Sequence, residues 1–91
     1  MTKYYKGHIT LPIERYLPKV TEKAICLTVA CGYTGANDRY EWFPKSQIII
    51  SEPNEVGNAE ILIPVWLFRS KQISADSIRE CDFNPYEIIE R

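Results

Sequence analysis

The sequence predicts one small α+β domain, built on a twisted and mostly antiparallel sheet of four to five strands that curves toward a barrel. Three observations lead to this prediction. A chain of 91 residues has the size of a single domain, so residues 1–91 are treated as one unit. Short apolar segments with period-two alternation are separated by turn residues. Helix signals occur in only a few short stretches, which predicts one or two short helices.

The first two strands are predicted from their apolar patterns. Ile9, Leu11 and Ile13 alternate with polar residues or proline, which indicates a strand over residues 5–13. Pro12 lacks an N–H donor, so this strand is expected to lie at a sheet edge or to end there. After a charged connection, residues 24–31 are mostly apolar at successive positions, which is typical of a central strand that is buried on both faces.

The middle of the chain predicts three further strands. Residues 32–38 form a loop by their glycine and asparagine content, and a strand follows over residues 39–43. Pro44 interrupts this strand, because proline fixes φ and removes a ladder donor, so we expect a kink or a single helical turn. The strand pattern resumes over residues 47–51 and 59–63.

The last third of the chain carries the helix signals. Pro64 suits the first position of a two-turn helix. The polar stretch 74–81 is expected to form a loop or another short helix. Asn84 and Glu87 resemble the first and last residues of a capping box, which predicts a terminal helix over residues 85–90. The same residues also alternate in polarity, so a strand stays open as the competing interpretation.

Charge and cysteine content exclude some classes of protein. With 11 Lys and Arg against 12 Asp and Glu, and a pI of about 5.8, the chain is not a polybasic nucleic-acid-binding module. The first residues lack the apolar core of a signal peptide, and no apolar run approaches the roughly 18 residues of a membrane span, so we expect a soluble cytoplasmic protein. Three cysteines, an odd number, fit reduced thiols better than a disulfide framework.

Metal binding and catalysis are not supported by the spacing of the reactive side chains. Cys26, Cys31, Cys81 and His8 have the composition of a zinc site, but the first two are five residues apart along a predicted strand and point to opposite faces. Burial disfavours a reactive thiolate, and the chain has no Gly-rich phosphate loop and no nucleophile elbow. We therefore expect no metal, no cofactor and no catalytic residue.

The aromatic side chains are the strongest functional signal. Tyrosine, tryptophan and arginine dominate the hot spots of protein interfaces, and several tyrosines are hard to bury in so small a domain. The sequence predicts binding of a partner protein through Tyr33, Tyr40, Arg39, Lys45, Tyr4 and Tyr5. Alternation of aromatic and cationic residues is also typical of single-strand binders, so a small single-stranded nucleic-acid-binding domain stays as the alternative.

A Lys-Ala pair at residues 23–24 opens the central strand, a Trp-x-Pro-Lys-Ser-Gln-Ile motif spans residues 42–48, and an Ile-Pro-x-Trp-Leu motif spans residues 63–67. In this order the segments resemble a family of short proteins that bacteriophages and plasmids encode. The resemblance covers about half of the chain, roughly residues 23–71. That family has no established activity, so the resemblance implies a setting on a mobile genetic element and no mechanism.

The two motifs also have a structural interpretation. Trp42 and Trp66 are expected to enter the core from the strand and from the helix, while Pro44 bends the strand between them. Because tryptophan is mostly buried in small domains, the sequence favours this interpretation over a binding role. The function expected for the whole chain is a non-enzymatic mobile-element protein that binds another protein, acting as an inhibitor of a bacterial defence system of the anti-CRISPR kind. This last step is an analogy from setting and size.

Overall fold

The computed structural model describes residues 1–11, 20–30, 38–80 and 82–91. These residues form six strands, one α-helix and two single turns of 3₁₀ helix. The strands are β1 (Lys3–Thr10), β2 (Ala24–Val29), β3 (Arg39–Pro44), β4 (Ile49–Ile50), β5 (Asn58–Pro64) and β6 (Asn84–Glu90), and the helix is α1 (Val65–Ser70). The 3₁₀ turns are Lys45–Gln47 and Ala75–Ser77. No helix of the described residues has the length and apolarity to cross a membrane.

The strands are arranged in two antiparallel sheets. One has four strands in the order β4-β5-β1-β6, and the other consists of β2 and β3. The α+β class is confirmed in its coarse form, although the fold is mostly β. The expected curvature toward a barrel is wrong, because the described strands form two separate sheets that do not close on each other.

The core lies between the two sheets and α1. Alternation along β2 and β3 directs Ile25, Leu27 and Phe43 to this core, and all three are fully buried. Phe68 of α1 packs tilted against Phe43, with ring centres 5.4 Å apart. Tyr5 of β1 meets Phe68 edge-on, with ring centres 5.2 Å apart. Full burial of one such aromatic side chain contributes about 1.5–3 kcal/mol to folding.

Both tryptophans lie at the surface, so their predicted place in the core is wrong. Trp42 is 43% exposed and Trp66 is 47% exposed. Successive side chains of a strand point to opposite faces, and the neighbouring Phe43 takes the inward position on β3. On α1 the residues Leu67 and Phe68 face the core, which turns Trp66 outward.

The chain termini form paired strands instead of a helix. β6 replaces the helix predicted over residues 85–90, because β1 offers a partner for its backbone. Thr2 and Arg91 extend this pairing by exchanging two backbone hydrogen bonds of 2.9 and 3.0 Å. A helix of six residues is too short to be stable without such support, so the competing strand interpretation is the correct one. The turn after Pro44 is confirmed as Lys45–Gln47.

Candidate partner-binding site

A pair of exposed aromatic side chains marks one face of β3. Tyr40 and Trp42 are two residues apart, so both point to the face opposite the core, and they are 47% and 43% exposed. Within the described residues, β3 pairs with β2 alone, so no described strand lies along its other edge. The two rings flank this edge.

The other face of β3 carries cations. Glu41 lies 3.6 Å from the Arg39 Nε and 3.8 Å from the Lys71 Nζ, so two positive side chains share one carboxylate. Arg39 also donates from Nη2 to the Lys71 backbone carbonyl at 3.4 Å. The Lys71 ammonium lies 5.5 Å from the centre of the Phe43 ring, within range of a cation–π interaction. These contacts tie the end of α1 to β3 and leave positive charge in excess.

Both ends of β3 are fixed to neighbouring segments. Asp38, directly before the strand, accepts a two-pronged ion pair from Arg79, the shortest contact being 2.8 Å. Directly after the strand, Lys45 donates its backbone N–H to the Lys23 carbonyl at 2.8 Å. Both ends of the strand that carries Tyr40 and Trp42 are therefore held by contacts with other segments.

Three of the predicted site residues lie on β3 or directly after it. Arg39 and Tyr40 lie on β3 and Lys45 follows it, and we call these three with Trp42 the β3 surface. Sequence reasoning missed Trp42, because it assigned that residue to the core. Its local signal is its position between Tyr40 and Lys45, which does not decide the face of β3 that its side chain occupies. Tyr33 lies outside the described residues.

The other two predicted site residues lie on β1, in the middle of the four-stranded sheet. Tyr5 points inward and packs on Phe68, so its ring serves the core. Tyr4 points outward, lies opposite Pro64 of β5 on one side and Ile89 of β6 on the other, and is half-buried. These two tyrosines are therefore in a different sheet from the β3 surface.

A second polar cluster covers the outer face of the four-stranded sheet. A bulge shifts the pairing between β1 and β6, because Lys6 pairs with Glu87 while the next residue pairs with Pro85. The extra residue, Tyr86, stacks on His8 with ring centres 4.8 Å apart. Its hydroxyl donates a 2.6 Å hydrogen bond to Glu60. Lys6 lies 3.8 Å from Glu60 and 3.9 Å from Glu87.

The contacts of this cluster stabilise one protonation state, in which Tyr86 is protonated and Glu60 is ionised. The hydrogen bond to Glu60, with smaller effects of burial and of the carboxylates of Glu60 and Glu87, raises the pKa of Tyr86 to about 12. The same hydrogen bond is the largest effect that lowers the pKa of Glu60, and the charges of Lys6 and His8 add to it. A tyrosine that acts as a nucleophile or base needs the opposite shift, a hydroxyl proton that is easily lost.

The described residues contain no cluster of side chains suited to metal binding. Within ranges 1–11, 20–30, 38–80 and 82–91, no group of three or more His, Cys, Asp or Glu side chains could hold a metal ion. Cys26 is buried on β2, and Cys31 and Cys81 lie outside the described residues.

Comparison of the chain with protein-family models, with curated proteins and with solved structures finds no match.

Proposed function

We propose that this chain is a non-enzymatic binding protein that engages a partner protein through the β3 surface. The observation that carries the proposal is the exposure of Tyr40 and Trp42 side by side on a strand edge that no strand of the described residues pairs with. Tryptophan, tyrosine and arginine are the residue types that dominate interface energetics. β3 carries all three, with Tyr40 and Trp42 on one face and Arg39 on the other. A tryptophan left 43% exposed gains further apolar burial when a partner covers it.

Rigidity of the β3 surface supports the same proposal. Binding costs free energy when side chains and loops must be ordered, and a surface that is already held in place avoids part of this cost. β3 is anchored by Arg79 at its start, by Lys23 at its end and by Lys71 beside it. The aromatic pair is thus presented in one arrangement before a partner arrives.

The proposal extends to the biological setting through the resemblance to phage and plasmid proteins. A small protein encoded on a mobile element can act stoichiometrically, by occupying a host or phage protein. Inhibition of a bacterial defence system, in the manner of anti-CRISPR proteins, is the form of this activity that we propose. Support for this extension comes from the resemblance and the small size of the chain.

Binding of single-stranded nucleic acid is the second candidate. It is favoured by the alternation of Arg39, Tyr40, Trp42 and Lys45, since single-strand binders combine aromatic platforms with cations. The overall charge opposes it, because the chain carries a formal net charge of -1 and Glu41 cancels one of the two positive charges of Arg39 and Lys71. Salt separates the two candidates, because affinity for nucleic acid falls steeply as the salt concentration rises.

The test is an affinity purification from nuclease-treated bacterial lysate, comparing three forms of the tagged protein. Trp42→Ala removes the proposed anchor. Trp66→Ala removes an equally exposed tryptophan from a different element and is the matched control. We expect the wild type and Trp66→Ala to recover the same protein and Trp42→Ala to lose it. Recovery that depends on nucleic acid, or that survives Trp42→Ala, contradicts the proposal.

A further inference from the structure

We propose that the edge of β3 accepts an added β-strand from the partner, namely an extended segment that alternates apolar and acidic side chains. This inference rests on the proposed function, because it specifies how a partner protein meets the β3 surface. It follows from the direction of the backbone groups of β3 and from the charges on its two faces.

The backbone directions on β2 are fixed by its neighbours. Thr28 donates its N–H to Asp82 at 2.6 Å and accepts at its carbonyl from the Arg79 N–H at 3.0 Å. Ala30 donates to the Ser77 carbonyl at 2.7 Å. The even-numbered residues at this end of β2 therefore point their backbone groups away from β3. Because directions alternate along a strand, the odd-numbered residues of β2 bond to β3.

The register of β3 then tells which of its groups point outward. Arg39, Glu41 and Phe43 lie opposite the odd-numbered residues of β2, so they form the ladder. Tyr40 and Trp42 direct both their N–H and their carbonyl groups to the outer edge. In the part of the chain that the structure describes, no other strand pairs with these four groups. Pro44 follows, and its missing N–H ends the row of donors.

An added strand would place its side chains on both faces of β3. Residues that exchange hydrogen bonds with Tyr40 and Trp42 put their side chains beside the two aromatic rings. Apolar side chains fit there, because they bury the exposed ring surface. The intervening residues point to the opposite face, where Arg39 and Lys71 share Glu41. Acidic side chains fit there, because they complement the excess positive charge.

The probe is a nine-residue peptide of alternating Glu and Val, blocked at both ends, and its control is the same peptide with Lys in place of Glu. Amide hydrogen exchange of the full chain is followed by NMR. Without peptide, we expect fast exchange at Tyr40 and Trp42 and slow exchange at Glu41 and Phe43. With the Glu/Val peptide at about ten times its Kd, exchange at Tyr40 and Trp42 should slow by about tenfold.

Backbone methylation separates strand addition from side-chain contact. A synthetic chain with an N-methyl group on Trp42 keeps the indole and the ladder but loses one outward donor. N-methylation of Ile88 is the matched control. Arg91 exchanges backbone hydrogen bonds with Thr2, and bond directions alternate along a strand, so the Ile88 N–H points away from β1 to the outer edge of β6. We expect methylation at Trp42 to weaken binding of the Glu/Val peptide by about tenfold or more, the effect of one lost interfacial hydrogen bond. Methylation at Ile88 should leave binding unchanged.

Three outcomes overturn the inference. Binding of neither peptide at about 1 mM, or equal binding of both, removes the acidic strand as the occupant. Protection of the Tyr40 and Trp42 amides in the protein alone at high concentration, with dimer formation, assigns the edge to a second copy of this chain. Binding that shifts the Trp42 indole but leaves both amides unprotected shows contact through side chains. That last result leaves the proposed protein-binding function standing, and only loss of the protein partner itself contradicts that function.

Discussion

The Arg79 side chain forms an ion pair with Asp38, directly before β3 begins, and the Arg79 backbone forms a hydrogen bond with β2. Its Nη2 lies 3.0 and 2.8 Å from the two carboxylate oxygens of Asp38, and its Nε lies 3.1 Å from one of them. The Arg79 backbone N–H donates to the Thr28 carbonyl at 3.0 Å. One residue thus joins the start of the β3 surface to the strand that supports it.

Loss of this ion pair should destabilise the protein. We expect Arg79→Ala to lower the free energy of unfolding by about 1–2 kcal/mol, since hydrogen bonds between charged groups are stronger than neutral ones but this pair is partly solvated. Arg79→Lys should recover less than half of the loss, because an ammonium cannot reproduce the two-pronged contact. Urea unfolding of both variants, combined with Asp38→Ala in a double-mutant cycle, measures the coupling. A coupling energy near zero would remove this pair from the account.

Trp66 points outward from α1 and Phe68 points inward. We therefore expect substitutions at these two positions to lower the free energy of unfolding by different amounts. Phe68→Ala should lower the free energy of unfolding by about 3–5 kcal/mol, because it empties a site inside the core. Trp66→Ala should cost less than about 1 kcal/mol, since nearly half of that side chain is already exposed. Urea unfolding measures both, and Phe68→Leu serves where Phe68→Ala does not fold. Equal costs at the two positions would place Trp66 in the core after all.

The hydrogen bond between Tyr86 and Glu60 predicts a pH-dependent contribution to stability. The pKa of Tyr86 is raised from 10.0 to about 12, so its contribution is full below pH 10 and is lost as the pH rises through 12. The pKa of Glu60 is lowered from 4.5, so its contribution is present above 4.5 and is lost as the pH falls through the lowered value.

Comparison of wild type with Tyr86→Phe tests this contribution. The difference in the free energy of unfolding should be constant between about pH 5 and about pH 9 and should shrink on both sides of that range. NMR titration of ring-labelled tyrosines provides a direct check, because one resonance that is missing in Tyr86→Phe should titrate well above the ordinary tyrosine value of 10.0. Titration of that resonance near 10.0 would contradict the assignment.

Close packing at the bulge predicts that Gly7 tolerates no side chain. A Cβ atom at this position would lie 2.5 Å from a ring carbon of Phe83 and 2.6 Å from the Asn84 carbonyl oxygen. We expect Gly7→Ala to lower the free energy of unfolding by about 2 kcal/mol or more, because the backbone and the buried ring must both move. Thermal unfolding measures the change, and a variant as stable as the wild type would show that β6 shifts without cost.

Local patterns predicted β2, β3 and the turn after Pro44. A continuous apolar run indicates a strand that is buried on both faces, and a proline without an N–H interrupts a strand, so both signals are contained within a few residues. The faces of the tryptophans could not be read from the sequence. Trp42 stands next to Phe43, and either aromatic could have pointed inward until the pairing with β2 fixed the choice. Similarly, the capping signal at Asn84 was local, whereas the strand that replaces the helix depends on β1, at the other end of the chain.

The candidate site was predicted in part for the same reason. Arg39, Tyr40 and Lys45 were found because cations and aromatics alternate within one segment. The cluster around Tyr86 was not found, since it needs residues from β1, β5 and β6 to meet at a bulge. The contact of Lys71 with Glu41 of β3 was missed too, because it depends on where α1 ends in space.

The measurement that tests the central claim most directly is the Kd of the purified partner for wild type, Trp42→Ala and Trp66→Ala. Removal of a central aromatic anchor typically costs 2 kcal/mol or more, about a 30-fold rise in Kd. We predict a rise of that size for Trp42→Ala and less than about a twofold change for Trp66→Ala. Equal affinities of the two variants for the partner would contradict the assignment of the β3 surface as the binding site.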